Sequence, residues 1–267
     1  MAFPANFWWL AIVAMIACSI GFKHYIWFFS IGYGFAIAAE GALFLLLYGK
    51  GMTLGTVLMS VLMILYGFRL SGYLAFREFI LSSYNERMKG EIKDSKTVPL
   101  FVKVSIWLAC AALYVLQVLP LFYRLANGSG SNLFTYLGAA IMAGGLLMET
   151  VADLQKNKAK KVNPGRFVDT GLYRFVRCPN YLGEMLFWIG CVISGIGSVT
   201  GVGQWALVLL GLVGITYVMF SGARRLELRQ NKNYGDDPEY QQYVKTVPIM
   251  VPFVKLYSVV KYKWLVA

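Results

Sequence analysis

The chain has 267 residues, 58% of them hydrophobic and only 14% charged, with a formal net charge of +12 and a mean hydropathy of +0.59. Charged residues make up about a quarter of an ordinary soluble domain, so this composition excludes a soluble globular enzyme and indicates an integral membrane protein. Four cysteines without metal-site spacing and a single histidine, His24, argue against a disulfide framework and a histidine-rich metal centre, and no metal is expected.

Apolar runs long enough to cross a bilayer follow one another from the N-terminus. The first, residues 5–22, has no basic residue ahead of it and is followed by Lys23 and His24. That favours a retained helix over a cleaved signal peptide, although "MIACS" is similar to a lipoprotein cleavage box. The second, 26–48, carries Glu40 alone within "AIAAEGALFLLL". A carboxyl group near mid-membrane is costly and normally faces a bundle interior or a cavity. Desolvation favours its neutral, hydrogen-bond-donating form, and a structural bond between helices is the plainer alternative. The third run, 52–75, places Tyr66, Arg69, Tyr73 and Arg77 at i, i+3, i+7 and i+11, on one helical face. Tyr73 also fits an aromatic belt, and Arg77 a snorkelling cation.

The polar stretch "FREFILSSYNERMKGEIKDSKT" leads to the fourth run, 100–123, and "NGSGSN" is a turn-rich external loop before the fifth, 133–153. In this helix Glu149, Asp153, Asn157 and Lys160 recur at i, i+4, i+8 and i+11. As local charge balance the stripe is unremarkable. As a wall it offers acceptors for hydroxyls or amides and cations for phosphates, and a nucleotide needs both. The sixth and seventh runs, 181–199 and 203–223, flank a tight hairpin, "GSVTGVGQ". The expectation is an all-α bundle of about seven transmembrane helices, forming one membrane domain over residues 1–267 without repeat or linker.

Basic residues are distributed unevenly. Residues 77–103 hold six Lys and Arg, 156–177 seven and 224–263 eight, and Lys23 lies on the same side. Only Lys50 and Arg124 fall on the other. The positive-inside rule then predicts an external N-terminus, a cytoplasmic C-terminus and a cytoplasmic polar mouth. The excess of positive charge suits topology, anionic lipid heads or a cytoplasmic anion site. No nucleic-acid partner is expected.

The stretches "ETVADLQKNKAKKVNPGRFVDTGLYRFVRCPNYLGEMLFWIG" and "SGARRLELRQNKNYGDDPEYQQYVKTVPIMVP" carry a family likeness. They resemble the steroid 5-alpha-reductase superfamily, and within it the bacterial branch described as a domain of unknown function. The resemblance implies a seven-helix fold that holds NADPH in a cytoplasm-facing cavity, with residues 1–123 on the substrate side and 133–255 binding the cofactor. By position it implies Asp153, Asn157 and Lys160 on the cofactor wall, and Asn180, Tyr181 and Glu184 from an Asn-aromatic-Leu-Gly-Glu motif. Arg174, Arg177, Arg224 and Arg225 are implied as phosphate partners, and Tyr240 comes from the C-terminal tyrosine pattern. Pro179 and Asn180 also read as a helix start, a natural anion site beside arginines. Tyr66, in "LYGFRLSGY", falls at the family's catalytic tyrosine, with Glu40 as its partner and Tyr33 and Tyr73 next in line.

The implied activity is NADPH-dependent reduction of the Δ4 double bond of a 3-oxo-Δ4 steroid or a similar lipophilic enone. The implied setting is a multi-pass protein of a bacterial inner membrane, with membrane lipids as neighbours. The alternative is an S-adenosylmethionine-dependent methyltransferase of isoprenoid or phospholipid substrates. Its relatives carry Arg-His-Pro-x-Tyr and a Glu-Glu pair, whereas here Cys178 replaces the histidine and Glu227 has no adjacent acid. Lipid or sterol binding without catalysis is the third reading.

Overall fold

The computed structural model describes residues 3–80 and 97–266, with side chains along the third helix described as far as Ala75. Every regular element among the described residues is helical. The α-helices are α1 (Phe7–Cys18), α2 (Ile31–Tyr48), α3 (Leu54–Ile80), α4 (Leu100–Ala126), α5 (Leu133–Val162), α6 (Pro179–Ser194), α7 (Gly201–Tyr234) and α8 (Pro238–Thr246). Most of "FREFILSSYNERMKGEIKDSKT", with Arg77 and four of its neighbouring cations, lies outside the described side chains.

Among the described residues, five segments are long and apolar enough to cross a membrane: Tyr25–Gly51, Leu54–Ala75, Leu100–Ala126, Leu133–Val162 and Gly201–Tyr234. This is a multi-pass membrane protein. The other two expected spans are shorter helices. At 1.5 Å per residue, the 12 residues of α1 and the 16 of α6 extend ~18 and ~24 Å, less than the ~30 Å hydrocarbon core. Helix α6 stops at Ser194, ahead of the expected 199, because the chain there tightens into three-residue turns. Gly195 N–H donates to Val192 O and Ile196 N–H to Ile193 O, and Gly197 takes a φ of +80°.

Helices α5 and α7 instead outrun their expected ends at 153 and 223. The residues that follow are rich in Lys, Gln, Ala, Leu, Arg and Glu, all good helix formers. Falling hydropathy marked an exit from the apolar layer and not an end to the helix. Proline at 164 follows the end of α5, and Gly235 N–H closes α7 on Asn231 O at 2.9 Å. Helix α8 begins with Asp237, whose carboxylate accepts from Glu239 N–H and Tyr240 N–H, and with Pro238 in the first turn.

The chain divides into two compact units, Met1–Ala139 with Cys191–Leu212, and Ala140–Gly190 with Val213–Ala267. In the first unit α2 and α3 run close together because glycines remove side chains from the crossing. A Cβ on Gly41 would come within 2.8 Å of Ser60 O, and one on Gly67 within 2.7 Å of the Ala38 Cβ. Small residues serve membrane helices in this way. At the end of α4, Arg124 is buried and donates to Ser194 O, Ile196 O, Gly130 O and Asn132 Oδ1. It is a staple for carbonyl groups of the turns, not a lipid-facing surface cation.

In the second unit α5 and α6 cross at Gly145 and Gly183, where a Cβ on Gly183 would meet Gly145 O at 2.7 Å. The C-terminal tail lies back along α7. Val259 N–H donates to Glu227 Oε2, Arg224 donates to Val260 O and Leu265 O, and Tyr217 donates to Trp264 O.

Replacing Arg124 strands several carbonyl groups at once. Arg124→Ala is expected to lower stability by about 2–4 kcal/mol, read as an earlier thermal unfolding transition in detergent. An unchanged transition would show that the staple contributes nothing.

Candidate functional site

The richest constellation of polar groups lies in the second unit. Lys156 and Lys160, one turn apart on α5, line a cavity of about 80 Å³ with Arg177, from the segment before α6, and Arg229 on α7. Tyr173, Gln230, Asn233 and Tyr234 complete its polar lining, and no carboxylate is among the described residues that line it. A recess lined by one sign of charge concentrates ions of the other. At ~10–15 Å³ per ordered water, the volume accepts a few waters or one phosphate-sized group.

Arg177 sets the geometry. Its side chain is buried, and Nη2 donates to Glu227 Oε1 at 2.9 Å and to Tyr257 O. Backbone bonds hold the segment in place, Arg177 N–H to Pro248 O and Cys178 N–H to Ile249 O, each 2.9 Å. The remaining donors, Nε and Nη1, are buried without an acceptor among the described residues, and so is the Tyr173 hydroxyl. Buried polar groups are nearly always bonded, so unmet groups on two residues lining one cation-rich cavity call for a ligand or ordered water.

Around this centre the aromatic side chains form a frame. The Phe167 ring stacks on Tyr243 and meets Tyr240 edge-on, both at 5.3 Å between centroids. Tyr240 donates to Asn231 Oδ1 at 2.7 Å, and Tyr243 to Tyr173 O at 2.7 Å. Burial pushes the Tyr240 hydroxyl up to about 12, with Arg177 beside it offsetting part of the effect. Burial likewise raises Tyr173 and Tyr243, so all three phenols stay neutral donors at physiological pH. The Cys178 thiol is pushed up to about 12 by burial, against the pull of Arg177, which leaves it a poor nucleophile.

Among the expected cofactor residues, the structure gathers only some at this cavity. Lys160 and Arg177 line it. Lys160 is already engaged, donating to Pro164 O, Arg166 O and Tyr234 Oη, so it closes the loop after α5 as well as supplying charge. Asp153 and Asn157 are half-buried on α5 and engaged with neighbouring groups. Asn180 and Tyr181 sit in the first turn of α6 and Glu184 is buried one turn on. The Tyr181 ring packs over Gly222. Arg224 is bound to tail carbonyls, Arg225 is exposed, and Arg174 lines a different cavity. Lys156, Arg229, Gln230, Asn233 and Tyr234 escaped the sequence reading. For the four on α7 the signal was the spacing 226, 229–230, 233–234, one face of a helix, which is legible only once α7 is carried past residue 223, whereas Lys156 stands beside Asn157 on the helix whose polar stripe was read as far as Lys160.

The expected acid residues lie in the first unit. Tyr66, fully buried on α3, meets Tyr33 edge-on at 5.9 Å between centroids. Tyr33 stacks on Tyr114 at 4.6 Å and accepts from Gln117 Nε2 at 3.0 Å. Gln117 Oε1 and both carboxyl oxygens of Glu40 are buried without a partner among the described residues. Glu40 and Tyr33 are seven residues apart and share a face of α2. The antiparallel contacts of Gly41 with Ser60 and of Gly67 with Ala38 set Glu40 about one helical turn from the level of Tyr66. Tyr73 lies two turns further along α3, half-buried.

The chain matches the family described as "Protein of unknown function (DUF1295)" over residues 8–247, nearly its whole length, and belongs to that family. No curated protein matches it, and no solved structure does.

The Arg177–Glu227 pair gives a direct test of this architecture. Removing one partner of a buried pair costs about 3–5 kcal/mol, because the other charge is left alone, whereas apolar replacement of both is far milder. Glu227→Ala is therefore expected to unfold much earlier than the parent, and Arg177→Met/Glu227→Leu to recover most of the loss. Thermal unfolding in detergent reads both, and equal destabilisation by single and double variants would refute the pairing.

Proposed function

We propose that this member of the DUF1295 family is an NADPH-dependent membrane reductase of an activated carbon–carbon double bond, with a 3-oxo-Δ4 steroid or similar lipophilic enone as substrate. The observation that carries the reading is the carboxylate-free cavity lined by Lys156, Lys160, Arg177 and Arg229, with unmet donors on Arg177 and Tyr173. Phosphate is the group such donors suit best, since charge-assisted and forked contacts to it are strong and oriented. The volume fits one phosphate of the dinucleotide, and the rest would extend beyond the cavity. The association of the family with steroid 5-alpha-reductase-like proteins supports the same reading. S-adenosylmethionine, whose sulfonium is positive, is a poor match to four converging cations.

In this reading Lys156, Lys160, Arg177 and Arg229 bind and orient the phosphate, and the neutral phenol of Tyr173 donates beside them. NADPH supplies a hydride to the substrate's β carbon when bound. Tyr66 holds a proton at its hydroxyl and gives it toward the substrate carbonyl oxygen, where charge develops. Glu40, whose carboxyl has no partner among the described residues, would orient that donor once substrate is bound. Phe28, Phe44 and Phe122 are fully buried in that unit, and apolar surroundings of this kind suit a lipophilic ring system and keep water from the reaction.

Two measurements test the proposal. NADPH is expected to raise the thermal transition of the detergent-solubilised protein by mass action on the folded state. Stabilisation by S-adenosylmethionine with none by NADPH would overturn the reductase reading. For the chemistry, Tyr66→Phe removes one hydroxyl and is expected to keep its fold and NADPH response while steady-state NADPH oxidation with an enone steroid falls by roughly 10²–10⁴. Parent-like turnover in that variant would move the acid role to Tyr33 or Tyr73.

A further inference from the structure

Arg174 and Arg177 are three positions apart in the chain yet line different cavities. Arg174 lines a groove of about 310 Å³ together with Lys255, Phe175, Phe253, Val254 and Tyr257. No acidic residue is among those described as lining it.

One wall is a loop built to present its tip. Ile249 N–H donates to Leu256 O at 2.9 Å, which closes residues 250–255 into a compact turn, and Leu256 N–H donates to Val254 O at 2.7 Å. The base is bolted to the opposite wall by Arg177 N–H to Pro248 O and Cys178 N–H to Ile249 O. At the tip, Phe253 has a φ of +65°, the left-handed region that a side chain larger than glycine's makes unfavourable. Its ring is fully exposed, at 101%, and Phe175 across the groove is 66% exposed. The fold therefore holds a large apolar ring in a strained position with its surface fully exposed. Such a placement makes sense only if an apolar phase outside the chain receives the ring.

In a multi-pass membrane protein that phase is at hand. The tail that follows the loop has the composition of a bilayer interface. Trp264 stacks on Tyr217 at 6.2 Å between centroids, and Lys261 and Lys263 flank Tyr262, the aromatic and basic mixture found at headgroup level. Two cations beside two exposed phenylalanine rings match a ligand that is anionic at one end and hydrocarbon at the other. We propose that the Arg174–Lys255 groove binds the headgroup of an anionic phospholipid, with Phe253 and Phe175 against its acyl chains. The loop thereby anchors the polar end of the second unit to the membrane surface, at a site separate from the cavity of Arg177.

Native mass spectrometry of the full chain, with phosphatidylglycerol or phosphatidylcholine added in equal amounts to the detergent, tests this. The parent should retain phosphatidylglycerol in clear preference to phosphatidylcholine. Lys255→Glu should reduce that retention by roughly fivefold or more, the effect of a reversed charge at an anionic headgroup. Lys158→Glu, the same change at an exposed position on α5, should leave it within about twofold of the parent, as expected for one charge remote from the site. Phe253→Gly relieves the backbone strain, so it should fold and still lose retention of the lipid. Equal retention of the two lipids by the parent, or equal loss in Lys158→Glu and Lys255→Glu, would overturn the proposal. So would displacement of phosphatidylglycerol by NADPH together with a weakened NADPH response in Lys255→Glu, which would assign the groove to the nucleotide.

Discussion

Burying a guanidinium costs several kcal/mol unless its donors are met, and the second unit is arranged around meeting that cost at Arg177. Glu227 on α7 supplies the counter-charge at 2.9 Å, Tyr257 supplies a carbonyl, and Glu227 in turn receives Val259 N–H. One ion pair thus ties the segment before α6, the helix α7 and the C-terminal tail together. Only Nη2 is satisfied in this way. The other donors of the same group, Nε and Nη1, have no acceptor among the described residues, in a side chain that lines the cavity together with Lys156 and Arg229.

The first unit shows the same logic with a different outcome. Arg124 is also buried, but with carbonyl and amide oxygens in place of a carboxylate satisfying it from several directions. A cation saturated by oxygens from several directions is a structural device. Glu40 is the contrast within the same unit. Its two oxygens are buried with no donor among the described residues, a costly arrangement for a purely architectural side chain.

Much of this is legible in the sequence. The apolar runs located the spanning helices, and the spacing of Lys160 and its neighbours located the polar face of α5. The arginine at 177 was recognisable from the residues around "RCPNY". What could not be read was where helices end when the chain leaves the apolar layer. Hydropathy reports solvent and not hydrogen bonding, so the span of α7 looked finished about three turns early, and with it went Arg229, Gln230, Asn233 and Tyr234. The division of labour between Arg174 and Arg177 was hidden as well, because a three-residue separation in a 3₁₀ turn and loop gives no hint that the two side chains serve separate cavities. The shortness of α6 depended on turn bonds after Ser194 that composition does not reveal.

The central claim is that the cation-lined cavity holds a phosphate of the dinucleotide. Calorimetric titration of NADPH into the parent protein and into Lys156→Ala/Arg229→Ala, both in detergent, addresses it directly. Each charge-assisted contact contributes about 1.5–3 kcal/mol, so the account predicts saturable binding by the parent and a loss of roughly 100-fold or more in the double variant. Equal affinity in the two proteins, or no binding by the parent, would contradict it.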